Sequence, residues 1–174
     1  MFADAIEEIL RDKCTPALVR AIESGAPPSP IWVALSEAGF LDLLRPEDEG
    51  GASLPLAELY PVLSMLGRYA VPVPIAQAIA VRAVLDPGVV LPDGILTIAP
   101  AIVWDGEGRP QCPRVPMGTL AAHVVAADGD RLVLIDAAAA QREATCIAGS
   151  QTATLTWDAS RHVRPIDGDA CALG

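Results

Sequence analysis

The side chains best suited to moving protons are carboxylates and histidines, and this chain has 22 of the former and 2 of the latter. Asp4, Glu7 and Glu8 lie close together, but helical spacing places them opposite an apolar stripe. We interpret them as a solvated helix face rather than a catalytic pair. His123 falls within a strand-like apolar run, which favours an ordinary half-buried histidine over a catalytic one. These patterns assign no catalytic residue.

Phosphate groups are usually bound by clustered cations or by glycine-rich turns. His162 stands near Arg161 and Arg164 and has the charge to contact a phosphate, but a solvated loop is the favoured interpretation. Gly106 and Gly108 form too poor a pattern for a phosphate loop, and no dinucleotide-binding fingerprint follows a strand. No arrangement typical of Ser/His/Asp or Cys/His nucleophilic catalysis is present either.

The four cysteines, Cys14, Cys112, Cys146 and Cys171, are far apart and form no CxxC pair. A disulfide framework or a zinc site is therefore not predicted, and no metal ligand is assigned. Reduced thiols in a cytoplasmic protein are the expected state.

Composition excludes several functional classes. The net charge is −10, and phosphate backbones require clustered Lys and Arg, so we predict no nucleic-acid partner. An anionic membrane surface would also repel this chain, and no apolar run reaches the roughly 20 residues that span a bilayer. The apolar fraction of 52% predicts a folded core, and the aromatic fraction of 4% requires aliphatic residues to build it.

The first half of the chain has the 3.6-residue periodicity of helices. Thr15 and Ser29 each precede a proline, which predicts an N-cap followed by proline at the first helical position. Gly39 is expected to end a helix in the left-handed conformation, and Ser53 to cap the next one. Pro61 lies inside that next pattern and predicts either a kink or a later start.

The segment 75–85 is apolar nearly all round, which predicts a buried helix, and Asp86-Pro87-Gly88 should end it. After residue 88 the pattern changes to short β-branched runs separated by turn residues. The predicted strands are Ile95–Ala99, Ala122–Ala126, Arg131–Ile135 and Thr152–Trp157. We therefore predict an α+β chain, with a helical domain over 1–87 followed by a small antiparallel β-barrel or sandwich over 88–174. Trp32 and Trp157 are expected in the core.

The segment Trp32–Gly51 resembles the N-terminal signature of the acyl-CoA dehydrogenase family: a helix ending in Ala-Gly, an apolar run, then Pro-Glu and Gly-Gly. Leu54–Leu59, Val62–Arg68 and Val71–Ala76 are similar to the segments that follow in that family. The resemblance covers roughly residues 2–86. It implies a helical domain beside a β-rich middle domain.

The second half resembles the family's middle domain more weakly, through Ala122–Asp136 and Thr152–Asp158. The resemblance implies FAD as cofactor and assigns Thr97, Pro116, Met117 and Gly118 to the flavin side of this domain. It also places the helix 75–85 near the acyl chain. The family's flavin loop would fall at Leu96–Trp104, where its glutamate and Ser-Asp end are replaced.

The resemblance implies α,β-dehydrogenation of an acyl-CoA thioester. The family's glutamate base usually lies in a C-terminal helical domain, and the sequence stops about where that domain would begin. We therefore expect a subunit, or a truncated portion, that needs such a domain from elsewhere and is inactive alone. Homo- or hetero-oligomers with a dehydrogenase-like chain are the expected assemblies. The alternatives are a degenerate, non-catalytic interaction subunit and, less favoured, a related flavin-dependent monooxygenase or nitroalkane oxidase.

Overall fold

The computed structural model describes residues 2–145, 147 and 150–173. The chain divides into two compact units, Met1–Ala83 and Val84–Gly174. The first is helical and the second is built from strands, so the predicted α+β class, with a helical domain before a β domain, is confirmed.

The described part of the helical unit has five α-helices: α1 Phe2–Lys13, α2 Pro16–Glu23, α3 Ser29–Glu37, α4 Leu56–Arg68 and α5 Ile75–Val84. Their apolar stripes supply the buried side chains, and Ile6, Ile31 and Ile79 are among those with at most 1% exposure. Trp32 belongs to this core, as expected. Packing of these faces stabilises the short helices, because helices of this length are marginal in isolation.

Two of the predicted helix boundaries are confirmed. Thr15 caps α2, and its side chain accepts a hydrogen bond from the amide of Leu18. Gly39 follows α3 in the left-handed conformation with φ of 78°. The expectation for Ser29 is wrong, because Pro28 is the N-cap of α3 and Ser29 is already helical.

The expected cap of α4 is also wrong. Pro55 is its N-cap, without a side-chain hydrogen bond, whereas the Ser53 hydroxyl accepts from the amide of Glu47. Ser53 therefore closes the preceding loop instead of starting the helix. Pro61 lies inside α4, so the helix does not start late.

The loop before α4 carries the Gly-Gly of the signature, and its geometry explains the second glycine. A Cβ on Gly51 would lie 2.2 Å from the backbone oxygen of Arg45. That oxygen already accepts from the Ser53 amide at 2.8 Å. A salt bridge also stabilises the loop, with 2.9 Å between the Arg45 guanidinium and a carboxylate oxygen of Glu49.

The described part of the second unit has eight strands in two four-stranded sheets. They are β1 Leu96–Ile98, β2 Val103–Trp104, β3 Pro110–Val115, β4 His123–Asp128, β5 Arg131–Asp136, β6 Gln141–Ala144, β7 Ala153–Thr156 and β8 Val163–Ile166. One sheet has the order β1-β4-β5-β8 and the other β2-β3-β7-β6. Every pair is antiparallel except β1 with β4, which is parallel.

Both sheets contribute to one apolar core, as in a sandwich. Val124 and Ile135 from the first sheet and Cys112, Leu155 and Ala153 from the second belong to the same cluster. Trp157 closes it, with 1% exposure and its indole N–H donating to the carbonyl of Asp136 at 2.7 Å. The four strands predicted from sequence are present, whereas β2, β3, β6 and β8 were not predicted.

Candidate functional site

The turn that follows β3 contains three of the four predicted cofactor residues, Pro116, Met117 and Gly118. The fourth, Thr97, lies in the middle of β1 with its side chain fully buried. Its hydroxyl donates to the carbonyl of Pro116 at 2.8 Å. The structure therefore brings these four residues together, with Thr97 beneath the turn rather than at its surface.

A register shift and two residues with positive φ make this turn tight. The register of β3 against β7 shifts between Cys112 and Val115, and Arg114 there has φ of +49°. Met117 also has positive φ, +53°, which is uncommon for a non-glycine residue. The amide of Gly118 returns to the carbonyl of Val115 at 3.1 Å, and a Cβ on Gly118 would lie 2.9 Å from that oxygen. Only a glycine fits there without displacement of backbone.

A second anchor holds the end of the turn. The amide of Thr119 donates to the carbonyl of Gln151 at 3.1 Å, and its hydroxyl contacts both that carbonyl and the Gln151 side-chain oxygen. The Arg142 guanidinium donates to the carbonyls of Ala121 and Ala137, both at 2.8 Å. Sequence reasoning missed Gln151 and Arg142, because no local pattern links residues that are 32 or 21 positions apart.

No carboxylate in the described residues is placed like a general base for a weakly acidic carbon. Thr97 is the one buried polar side chain in the described core, so the described Asp and Glu side chains retain contact with solvent. Hydrogen bonds from the backbone and side chain of Arg109 lower the pKa of Asp105. Desolvation raises the pKa of Asp158, but Arg161 and His162 outweigh it and hold that pKa below its usual range. Lowered pKa values make these groups weak bases.

The two histidines have ordinary partners. His123 is half-buried on β4, as predicted, and its Nε2 lies 3.0 Å from the carbonyl of Asp93. His162 is less exposed than a solvated loop predicts, with 16% of its side chain accessible and Nε2 at 3.2 Å from Asp158. The same carboxylate pairs with Arg161 at 3.2 Å. Arg161 and His162 thus both contact the carboxylate of Asp158.

None of the described cysteines forms a disulfide. Cys14, Cys112 and Cys171 are free, and Cys146 lies outside the described residues. Burial raises the pKa of Cys112 to about 12, so its thiol stays protonated at neutral pH. Within the described ranges no group of three or more His, Cys, Asp or Glu side chains has the geometry to hold a metal ion. No helix of that part of the chain is long and apolar enough to cross a membrane.

A flavin requires an enclosing, mostly apolar cavity with a few directed polar groups. The one buried hydroxyl among the predicted contacts, that of Thr97, is already bound to Pro116. Two open cavities of this unit, of about 410 and 330 Å³, are lined by residues 86–90, 130–132 and 164–168 and include none of the four predicted residues. The four residues thus form one wall held by the hydrogen bond from Thr97, and by themselves they do not enclose a flavin.

The pattern of the helical unit matches a known family. Residues 1–89 match the family model for the acyl-CoA dehydrogenase N-terminal domain, which is half of the chain. The chain therefore belongs to the acyl-CoA dehydrogenase family, as the resemblance predicted.

Solved structures extend the likeness to both units. The chain is 28% identical to a chain of the Tcur3481–Tcur3483 steroid acyl-CoA dehydrogenase G363A variant, with a TM-score of 0.67, covering 99% of this chain and 56% of that one. It is 20% identical to a chain of the ChsE4–ChsE5 complex from Mycobacterium tuberculosis, with a TM-score of 0.70 and coverages of 99% and 57%.

Dibenzothiophene monooxygenase TdsC from Paenibacillus sp. A11-2 has the same fold at 14% identity and a TM-score of 0.54, covering 98% of this chain and 54% of that one. The chain thus spans a little over half the length of the solved structures it matches. A comparison with curated proteins found no match.

Proposed function

We propose that this chain forms part of an FAD-dependent acyl-CoA dehydrogenase assembly that introduces a double bond next to the thioester of an acyl-CoA. The observation that carries this proposal is the continuous likeness of the chain, over 99% of its length, to a steroid acyl-CoA dehydrogenase structure at 28% identity. That likeness includes both the helical unit and the sandwich. It also favours a polycyclic acyl group over a simple fatty acyl chain.

The reaction needs two components that the described residues do not supply. Removal of the α-proton needs a carboxylate whose pKa is raised in a dry site, and no described carboxylate is buried. The flavin, when bound, supplies the redox chemistry, and the protein encloses and orients it. We therefore assign this chain a positioning role, in which the Pro116–Gly118 turn forms a wall and Thr97 holds the turn from below. The base and the remaining enclosure belong to other parts of the assembly.

The proposed assembly is a hetero-oligomer with a second dehydrogenase-like chain. Two of the similar structures are complexes of two named proteins, Tcur3481 with Tcur3483 and ChsE4 with ChsE5. The proposed partnership with a second chain rests on this likeness.

Co-expression with a neighbouring dehydrogenase-like gene product tests this proposal. We expect a yellow complex that reduces an electron acceptor with an acyl-CoA substrate, and each chain expressed alone provides the control. Two colourless chains that elute separately would contradict the proposal. A panel of steroid and straight-chain acyl-CoA thioesters then tests the substrate class, since equal turnover of both would remove the steroid preference.

A second candidate function is a non-catalytic interaction subunit that kept the fold without a flavin site. The burial of Thr97 and the bond from its hydroxyl to Pro116 favour it, because that hydroxyl is not available to a ligand. A stable complex without flavin and without affinity for acyl-CoA would support this candidate and reject the first. Oxygen uptake by reduced flavin in the complex would instead indicate monooxygenase chemistry.

A further inference from the structure

The helical unit contains a cavity of about 440 Å³ where the turn between α1 and α2 faces the end of α4. Its lining includes Arg11, Cys14, Val19, Arg20, Arg68 and Tyr69. Sequence reasoning did not single out this group, because the residues come from three helices. We call it the arginine groove.

Three of the chain's 12 cationic residues, Arg11, Arg20 and Arg68, line this groove. Arg11 and Arg68 share a single carboxylate, that of Glu7, and each lies 3.5 Å from the same oxygen. Arg20 has no ion pair with any residue that the structure describes. Among the described residues, Glu7 is the one carboxylate paired with any of these three arginines, which leaves the groove locally cationic in a protein whose net charge is −10.

Hydrogen bonds and a helix cap within the helical unit hold the residues around the groove. The Tyr69 hydroxyl donates to Glu7 at 3.3 Å, and the Cys14 thiol lies 3.5 Å from the carbonyl of Tyr69. Thr15 caps the first turn of α2 at the rim. Ala70, also in the lining, has φ of +48°, an uncommon conformation for a residue with a Cβ. Val19 adds an apolar wall beside the charges.

We propose that the arginine groove binds a small phosphorylated molecule. A phosphate monoester carries close to two negative charges at neutral pH, which matches the uncompensated charge of the groove. A planar guanidinium group can donate two parallel hydrogen bonds to the oxygens of one phosphate. The volume lies within the range of about 300–1,000 Å³ typical of small-molecule sites, so the apolar wall has room for a base or short chain. The groove lies wholly within the helical unit and is independent of the function proposed above.

Nuclear magnetic resonance of the full chain, titrated with AMP, inorganic phosphate and adenosine, tests this proposal. We expect saturable shifts of the backbone amides at Cys14–Arg20 and Tyr69–Ala70 with AMP, and weaker ones with phosphate. Adenosine, which lacks the phosphate, should leave these amides unchanged. Added salt should weaken the binding, because the attraction is electrostatic.

Arg20→Gln removes the unpaired guanidinium from an exposed helix position, so the fold should be retained. We expect about tenfold weaker AMP binding, which corresponds to the lower end of the contribution of a hydrogen bond to a charged group. Arg68→Gln is the second variant, and Arg161→Gln, whose side chain pairs with Asp158 in the other unit, is the matched control. Absence of saturable shifts, equal shifts with adenosine, or unchanged affinity in both groove variants would overturn the proposal.

Discussion

The bond between Thr97 and Pro116 is the contact on which the candidate wall depends, and Thr97→Val removes it with the shape of the side chain retained. Thr97 is 0% exposed and its hydroxyl donates to the Pro116 carbonyl at 2.8 Å. No cavity is created, so the loss is the hydrogen bond, about 0.5–1.5 kcal/mol, plus part of the cost of leaving a carbonyl unpaired. Pro116 is half-buried, and water will satisfy some of that cost. We expect destabilisation by about 1–2 kcal/mol.

Two measurements check this expectation. Urea unfolding followed by circular dichroism gives the free energy of unfolding, and amide hydrogen exchange gives the local opening of the turn. The amides of Gly118 and Leu120, which bond to Val115 and Met117 within the turn, should exchange about tenfold faster.

Thr154→Val is the matched control for this substitution. Thr154 is half-buried in the same sandwich, but its hydroxyl has only a 3.5 Å contact with the Arg114 amide. We expect this control to lie within about 0.5 kcal/mol of the wild type. If Thr97→Val behaves like the control in both measurements, the hydroxyl does not hold the turn, and the positioning role of Thr97 is refuted.

Three further predictions concern single residues within one unit or the other. Gly51→Ala should destabilise the helical unit by about 3 kcal/mol or more in urea unfolding, because its Cβ would lie 2.2 Å from the Arg45 carbonyl oxygen. Trp157→Phe should cost about 2–3 kcal/mol by the same assay, because it removes a buried hydrogen bond to Asp136 and leaves a cavity. The folded-state pKa of Asp105 is lowered, so its contribution to folding is present above the unfolded pKa and is lost as pH falls through the folded pKa. Asp105→Asn should therefore flatten the acid side of the stability–pH profile.

Each of these predictions has its own control. Gly67→Ala, at a position on α4 with no atom within 4 Å of the added Cβ, should stabilise by up to about 1 kcal/mol. Equal effects at both glycines would contradict the steric argument for Gly51. Trp104→Phe changes a 40% exposed indole and should have a small effect. An unaltered acid profile in Asp105→Asn, compared with the exposed Asp48→Asn, would contradict the linkage argument.

The sequence by itself determined the class of the chain and most of its element types. Periodicity placed the helices, the Thr15 cap and the Gly39 stop, because these features depend on residues within one or two turns. The segment Trp32–Gly51 predicted the family because its signature residues are contiguous in sequence, and the family model confirms it. Four strands with strong apolar character were also predictable. β2, β3, β6 and β8 were not, because short strands with exposed or proline-containing sequences lack a periodic signal.

Only the tertiary structure decided what the candidate site residues contact. Ser53 has the chemistry of a helix cap, yet its hydroxyl serves the amide of Glu47. Thr97 is a predicted cofactor residue, and only the structure shows that its hydroxyl donates to the carbonyl of Pro116, 19 residues along the chain. The arginine groove likewise joins residues of three helices. A side chain's partner depends on which distant backbone groups packing brings within 3 Å, and no local pattern of residue types contains that information.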